Sequence, residues 1–519
     1  MKKKLFSGLL AAVAVLTLAA CGTKEATNTS KADPETFTYA IDGDPSSTNP
    51  INTSDRWGLT LTNILYSPLI RVEPDGTYVN ELAESYEIAE DGLSITVKLR
   101  QDVKWSDGED FNADDVLFTY AQKVKKENGN AASLHINDKP VQLEKEDDYT
   151  VKFILPAVSA PALDNIVTET YIIPEHIYKD EPDFSVSQLE NTPVGTGPYK
   201  FVEYKHGQYI KLEANENYYK GEPEIDHLVL RIITSADTRK VALQTGEVDA
   251  SFVLPSEIAD LDSKTITTHA YTENRVGYLG LNTTTSELSD VRVRQALLFA
   301  LNKDEMNQAA YLDKEYYETP VSFLPVANPF ATEKVEKYEQ NVEKAKSLLA
   351  EAGVSNLRLN LGFNSSDPAQ TLQATLIQEQ LAQVGVTVEL AGGDSTALFT
   401  ELRKEGSVAY NLFLGGYIMG NDPDQYARLF KGGGASNYFK LNDATINGLF
   451  DKGAVELDKA KRDVIYDDLQ AELANLAAIY PIVDNKKILA VNNRIEGVEE
   501  AGLVPIYTFE DPSQLKIRP

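Results

Sequence analysis

Apolar and polar positions follow several different periods along this chain, and each period predicts an element. Phe37–Ile41 is a β-favouring run, followed by a turn-rich stretch, DGDPSSTNP, that ends at Pro50. From Leu59 the pattern becomes helical, with Leu61, Ile64 and Leu65 on one face until Pro68 stops it. Strand-like pieces follow at Leu69–Val72 and Ser94–Leu99, the second alternating strictly at Ile95, Val97 and Leu99. Asp107-Gly108 marks a turn, and Asn112 is placed to cap a helix whose first turn carries Asp114 and Asp115. Further strands are expected at Tyr209–Glu213 and Leu228–Ile232, with a helix over Asp237–Leu243. Ser289 is expected to cap a helix with Val293, Ala296, Leu297, Ala300 and Leu301 on its apolar face. A helix from Val342 to Ala352 stops at Gly353. Alternating Leu357, Leu359 and Leu361, a helix over 371–384, and a strand with Val386, Val388 and Leu390 form a strand–helix–strand unit. Two strands joined that way pair in parallel. A helix near Lys459–Ala478 and strands at Ile479–Val483 and Ile488–Val491 complete an α/β pattern.

One apolar run belongs to none of these elements. Leu9–Leu18 follows Lys2, Lys3 and Lys4, and Leu18-Ala19-Ala20-Cys21 closes it. It is too short to span a bilayer comfortably and has the flanks of a secretory signal. Cys21 is the only cysteine in the chain. The segment resembles a bacterial lipoprotein signal, in which small residues precede a cysteine that receives the lipid. That resemblance implies a signal peptide over 1–20, a mature chain beginning at Cys21, and a flexible polar spacer over 21–35. The body would then be tethered to the outer face of the cytoplasmic membrane. Acyl chains contribute about 0.8 kcal/mol per buried methylene, so several chains hold firmly.

Length and charge narrow the classes. A chain of 519 residues has room for two or more domains with sizeable cores. Lys and Arg number 49 against 79 Asp and Glu, a net charge of −30 that loss of the leader would deepen. Such a surface suits solubility and argues against nucleic acid, whose phosphates require basic clusters. With one cysteine there is no disulfide framework and no thiolate metal site. His135, His176, His206, His227 and His269 are scattered without zinc-site spacing. No G-x-S-x-G elbow is present, and the glycines after Lys431 lack the phosphate-loop lysine. The expectation is a protein that is not an enzyme and carries no cofactor. A glycosidase using two carboxylates is the best catalytic alternative.

Five stretches narrow the function further: LRQDVKWSDGEDFNADDVLFTY from Leu99, TPVGTGPYKF from Thr192, LNTTTSELSDVRVRQALLFALNKDEM from Leu281, VEKAKSLLAEAG from Val342, and NLFLGGYIMGNDPDQY from Asn411. Together, in this order, they resemble the solute-binding proteins of the large peptide and nickel family, which serve ATP-binding-cassette importers. The resemblance covers essentially the whole mature chain. It implies a two-lobed, periplasmic-binding-protein-like α/β fold with an extra subdomain on the first lobe. Lobe I would comprise 36–62, 186–280 and 484–519, its subdomain 63–185, and lobe II 281–483. Solute would be enclosed between the lobes, importer permease subunits would be the partners, and a monomer is expected.

The resemblance also selects residues. Ser47, Thr48 and Asn49 match a loop at the cleft edge. Trp57, in the polar stretch SDRWG, is a candidate for ligand stacking, with structural packing as the alternative. Tyr417 falls in the cleft loop. Peptide-binding relatives place an acidic residue in that loop to pair with the peptide's amino terminus. Here the matching position is Met419, beside Asn421, and the nearest carboxylate is Asp422. Asp422 either takes over the role or belongs to a plain turn. Dipeptide binders use an arginine near the stretch matching Phe363–Ala369, which has none here. The implied solute is a longer peptide held by its backbone, or something uncharged. A sugar, a nickel chelate or a surface peptide-signal role are the alternatives. Trp105, in a motif that recurs whatever the solute, is expected to be structural.

Overall fold

The computed structural model describes residues 35–518 apart from 74, 129–130 and 181–192. Cys21 and the signal therefore lie outside the described residues. The first strand, β1 (Thr36–Ile41), is buried along its length. It leads through a loop to α1 (Arg56–Leu65), which begins three residues before the apolar period shows itself. Asp55 sets that start, because its carboxylate accepts hydrogen bonds from the Trp57 and Gly58 amides at 3.1 and 3.0 Å.

A separate block follows. Strands β2 (Ala83–Ile88), β3 (Ser94–Leu99), β4 (Gln142–Asp147) and β5 (Thr150–Ile154) form an antiparallel sheet in the order β2-β3-β5-β4. Helix α2 (Ala113–Lys123) carries the expected cap at Asn112, with Asp115 completing a reciprocal capping box. Trp105 is fully buried here and its indole N–H donates to Asp115. The same carboxylate accepts from the Asn112 and Glu175 amides. That motif holds the block together, as expected.

Apart from four two-stranded pairings, the remaining strands build one sheet of eleven: β6 (Tyr199–Lys205), β7 (Tyr209–Ala214), β8 (His227–Ile232), β9 (Ala250–Phe252), β10 (Ile266–Leu281), β11 (Arg358–Asn364), β12 (Thr387–Gly393), β13 (Leu412–Ile418) and β14 (Ile479–Asn492), with β1 and the two-residue strand Tyr317–Glu318. Its order is β6-β7-β8-β1-β9-β14-β10-β13-β11-β12, the short strand pairing with β14. Helices packed around it include α3 (Ala236–Thr245), α4 (Val291–Ala300), α5 (Val342–Glu351), α6 (Pro368–Ala382), α7 (Ser395–Arg403) and α8 (Lys459–Leu476). The β11–α6–β12 unit pairs in parallel, as its alternation and connection length require. One boundary is corrected. Asp290, not Ser289, caps α4, because its carboxylate accepts from the Arg292 amide while the Ser289 hydroxyl turns back to the Ser286 carbonyl.

The sheet has two halves, each with its own core. One gathers Phe37, Tyr39, Leu61, Leu228 and Leu489; the other gathers Leu279, Leu297, Leu361, Leu412 and Ile482. Only β10 and β14 run through both halves. Sequence pattern separates β14 into two strands, because Asp484, Asn485, Lys486 and Lys487 interrupt the apolar run. Backbone pairing makes it one, since β10 supplies partners on both sides of the polar stretch. The register slips at this place: Thr272 faces Lys486 and Val276 faces Asp484, so Glu273, Asn274 and Arg275 form a bulge opposite Asn485. Asn274 takes a left-handed φ of 52°, a conformation asparagine tolerates better than most side chains.

Candidate ligand-binding cleft

The bulge forms part of the wall of a cavity of about 400 Å³ that all parts of the molecule share. Arg71–Glu73 and Asp164, Thr168 and Glu169 come from the four-stranded block, and Glu273 and Asn274 from the bulge. Ile418–Asn421, Gln425 and Arg428 come from the C-terminal half, and Val504–Tyr507 from the last turns of the chain. Its volume falls within the usual range for small-ligand sites, about 300–1,000 Å³.

Charge is dense here, and nearly all of it is answered by protein. Arg71 is buried between Glu81 at 3.2 Å and Glu510 at 3.3 Å. Glu273 pairs with Arg56. Glu169 accepts from the Tyr507 hydroxyl at 2.7 Å and from the Val72 amide at 3.2 Å. Burial, then the neighbouring Glu510 carboxylate, lifts Glu73 to about 7. Burial, then Asp422, lifts Asp164 to about 6, while the Tyr78 hydroxyl donates to it. Two carboxylates near one another in a low-dielectric cleft hold protons more tightly than in water.

Ile506 and Thr508, flanking Tyr507 at the cavity wall, sit at φ of 66° and 74°. For β-branched residues such angles are outliers that persist only when surroundings enforce them. Arg56 and Thr60 both donate to the Ile506 carbonyl, and the Tyr39 and Thr508 hydroxyls are 3.0 Å apart. Nothing in the stretch Pro505-Ile506-Tyr507 marks this in sequence, because the signal lies in distant partners.

A second cavity, also about 400 Å³, lies beside the first, with Met419 and Arg428 lining both. Tyr278, Phe399, Tyr417 and Tyr438 supply aromatic walls, and Ser395, Thr396, Ser436 and Arg403 supply polar ones. A larger hollow of about 660 Å³ lies elsewhere, against the C-terminal strands around Ile495 and Lys516. It draws on one half of the sheet only.

The residues singled out in the sequence fall into three groups. Met419 and Asn421 line the shared cavity, and Tyr417 the second, where its hydroxyl donates to the Phe323 carbonyl at 2.5 Å. Ser47, Thr48 and Asn49 are buried in the loop before α1, where the Ser47 hydroxyl accepts from the Asn49 amide and the Asn49 side chain from the Ile51 amide. Trp57 does not lie in a polar loop. It begins α1, 7% exposed, with ring contacts to Tyr39 at 6.0 Å and Phe252 at 6.2 Å and its indole N–H on Asp42. Asp422 is buried and held in two parallel hydrogen bonds by Arg462 at 2.5 and 2.8 Å. It also caps the short turn that follows. A carboxylate engaged in that way is occupied by protein.

Gly195 and Gly197 are explained by packing. A Cβ on Gly195 would lie 1.8 Å from the Leu65 carbonyl oxygen, and one on Gly197 2.4 Å from that of Ile64. The loop therefore closes against the end of α1, where the Gly197 amide donates to Leu65.

The model of bacterial extracellular solute-binding proteins, family 5, matches residues 77–438, well over half of the chain. The chain belongs to that family. Among solved structures it is similar to the ABC transporter substrate-binding protein CtaP from Listeria monocytogenes. That match is 35% identical with a TM-score of 0.90 and covers 93% of this chain and 99% of that one. It is 28% identical to the oligopeptide-binding protein AppA of Bacillus subtilis over 90% of this chain and 89% of that protein. It is 29% identical to heme-binding protein A of Haemophilus influenzae over 95% and 96%. As a family 5 solute-binding protein it has the two-lobed fold expected. Among the described residues no helix is long and apolar enough to cross a membrane.

Proposed function

We propose that this chain is the peptide receptor of an ATP-binding-cassette importer, held outside the cytoplasmic membrane by lipid on Cys21 and presenting solute to the permease. Lobe I is taken as 36–62, 186–280 and 484–519, its subdomain as 63–185 and lobe II as 281–483. Support for a peptide comes from the likeness to an oligopeptide-binding relative along nearly the whole chain and from a cleft with two adjacent cavities. The observation that carries the reading is the set of hydrogen bonds between the subdomain and lobe II. Asn421 donates to the Glu73 carbonyl at 3.0 Å, Gln425 to Asn165 at 3.1 Å, and the Ala160 amide to the Ala454 carbonyl at 2.8 Å. On this reading these bonds belong to the shut cleft and break when it opens, with the bulge at Glu273–Arg275, in the two strands common to both halves, as the hinge. A solute touching both lobes adds contacts to the shut state alone and so favours it.

Within this reading Met419, Asn421 and Tyr417 face the solute. Ser47, Thr48, Asn49 and Trp57 support the cleft wall, and Asp422 belongs to lobe II's own structure. Small-angle X-ray scattering with a pool of random penta- to nonapeptides is expected to show a smaller radius of gyration and a raised thermal midpoint. An unchanged curve and midpoint with peptides, together with compaction by heme, a sugar or a nickel chelate, would move the reading to a non-peptide solute. Cys21→Ser is expected to shift the protein from the membrane to the soluble fraction. Retention in the membrane would remove the lipid anchor from the account.

A further inference from the structure

Contacts between the antiparallel block and the C-terminal half lie both at the cavity and well outside it. At the cavity, Asn421 and Gln425 donate to the Glu73 carbonyl and the Asn165 side chain. The outer contact is at the tip of the β2–β3 hairpin, and none of its residues lines either cleft cavity. Gly92 turns the hairpin at a left-handed φ of 66°, its amide donating to the Ala89 carbonyl at 2.8 Å. Gly92 is buried, although Asp91 and Leu93 on either side of it are exposed. Leu457 covers it, from the loop between the helix Ala444–Gly453 and α8. A Cβ on Gly92 would lie 2.9 Å from a methyl carbon of Leu457 and 3.5 Å from one of Val158. Beside this contact the Ala160 amide donates to the Ala454 carbonyl at 2.8 Å.

Both sides of the contact are stiff. The Leu93 carbonyl accepts from the Leu155 amide at 2.9 Å and β3 pairs with β5 from Ser94 onward, so the hairpin tip and the stretch 158–160 move together. Opposite them, the Val455 and Glu456 amides bond back to the Lys452 carbonyl at 3.3 and 3.1 Å, and Asp458 caps α8. Leu457 belongs to neither hydrophobic core of its own half and is 50% exposed even with Gly92 beneath it. Its loop therefore holds it out toward the block. The apolar surface it loses on contact is regained by water when the two sides part.

We propose that Leu457 seated on Gly92 is a latch that favours the shut cleft whatever the solute, and so sets the overall affinity. This rests on the reading that the two halves close around a solute. A contact outside the cavities touches no solute and cannot tell one from another. It adds the same free energy to the shut state of every complex, and apparent affinity follows the fraction of molecules that can shut. Gly92 makes the seat possible, because a larger residue would meet Leu457 before closure was complete. The latch gives the antiparallel block a part in closure beyond supplying cavity wall.

The test measures closure directly and does not depend on knowing the natural solute. Spin labels on Glu146→Cys and Asp468→Cys, in the full chain carrying Cys21→Ser, report the distance between block and C-terminal half by electron–electron resonance. Leu457→Ser is expected to lower the ratio of shut to open molecules about five-fold without solute, the effect of uncovering about half of one leucine side chain. Leu457→Met should stay within about two-fold of the parent, and both should keep the thermal midpoint. Calorimetry with several unrelated penta- and nonapeptides should show the same loss in Leu457→Ser for each, about five-fold. Losses that differ between peptides by more than about three-fold would make Leu457 a solute contact and overturn the latch. Identical ratios and affinities in parent and Leu457→Ser also overturn it. If no peptide binds the parent while Leu457→Ser still shifts the solute-free ratio, the peptide reading fails and the latch stands.

Discussion

The shared cavity and the cavity beside it are similar in volume and have Met419 and Arg428 in common, yet acidic residues line the first and none lines the second. In the first, Arg71 meets Glu81 and Glu510, Arg56 meets Glu273, and Asp422, near its wall, meets Arg462. Carboxylates there that lack a cation rise in pKa toward neutrality instead, as Glu73 and Asp164 do. In the second, two guanidiniums stand without an acid. Burial costs several kcal/mol per ion, which is why buried Arg462 and Asp422 answer one another, whereas Arg403 and Arg428 are exposed and remain solvated. Charges answered by the protein stabilise a state of the protein. Charges left open are free to choose a ligand. Dense charge near a cleft is therefore a poor guide to solute, and unpaired charge a better one.

The largest test of this contrast is Arg462→Met. It strands Asp422 in a buried setting and is expected to destabilise the protein by about 3–5 kcal/mol in urea unfolding. Affinity for the solute should change little. A large affinity loss with unchanged stability would show that Asp422 serves the ligand after all.

The next effect concerns pH. Asp164, Asp424 and Asp484 are lifted to about 6, each chiefly by burial, and ordinary aspartates titrate near 4. The folded state then binds more protons than the unfolded state between those values. Stability is fully present below about pH 4 and is lost as pH rises through about 6. Asp164→Asn should remove about 2 kcal/mol of that decline. Thermal melts from pH 4.5 to 7.5 measure it. An unchanged slope would place the titration elsewhere.

A smaller effect is expected at the junction. In the parent protein, acetylating a peptide's amino terminus should change affinity by less than about three-fold, because Met419 offers dispersion and no charge. Met419→Asp should introduce about a ten-fold preference for the free amino terminus, about 1.4 kcal/mol. Calorimetry with paired free and acetylated pentapeptides decides it. If the parent already shows that preference and Asp422→Asn removes it, the aspartate is the anchor.

The smallest expected effect is the sharpest contrast with Arg462. Arg403→Gln should leave unfolding free energy within about 0.5 kcal/mol, as for surface substitutions that break no buried pair. A loss comparable to that of Arg462→Met would make Arg403 structural and merge the two kinds of charge.

Much of the fold was legible in the sequence because periodicity reports local geometry. Alternation at Leu359–Leu361 and Val386–Val388, the helix between them and Gly353 at a helix end all reflect contacts a few residues apart. The recurring motifs around Trp105 and Gly195 were legible for a related reason: they build the frame, and frame contacts constrain residue type strongly. Three matters were decided only by tertiary structure. The polar break at Asp484–Lys487 is spanned by one strand, because β10 supplies partners across it. Trp57 enters the core, because Asp55 starts the helix early and Tyr39 and Phe252 await its ring. Asp422 is held by Arg462, 40 residues away, while exposed Arg428 has no acidic partner among the described residues. Whether a charge is paired depends on partners distant in sequence, and no local period records them. Sequence by itself determined the elements and the family; which charges remain open to a ligand was settled when those elements packed.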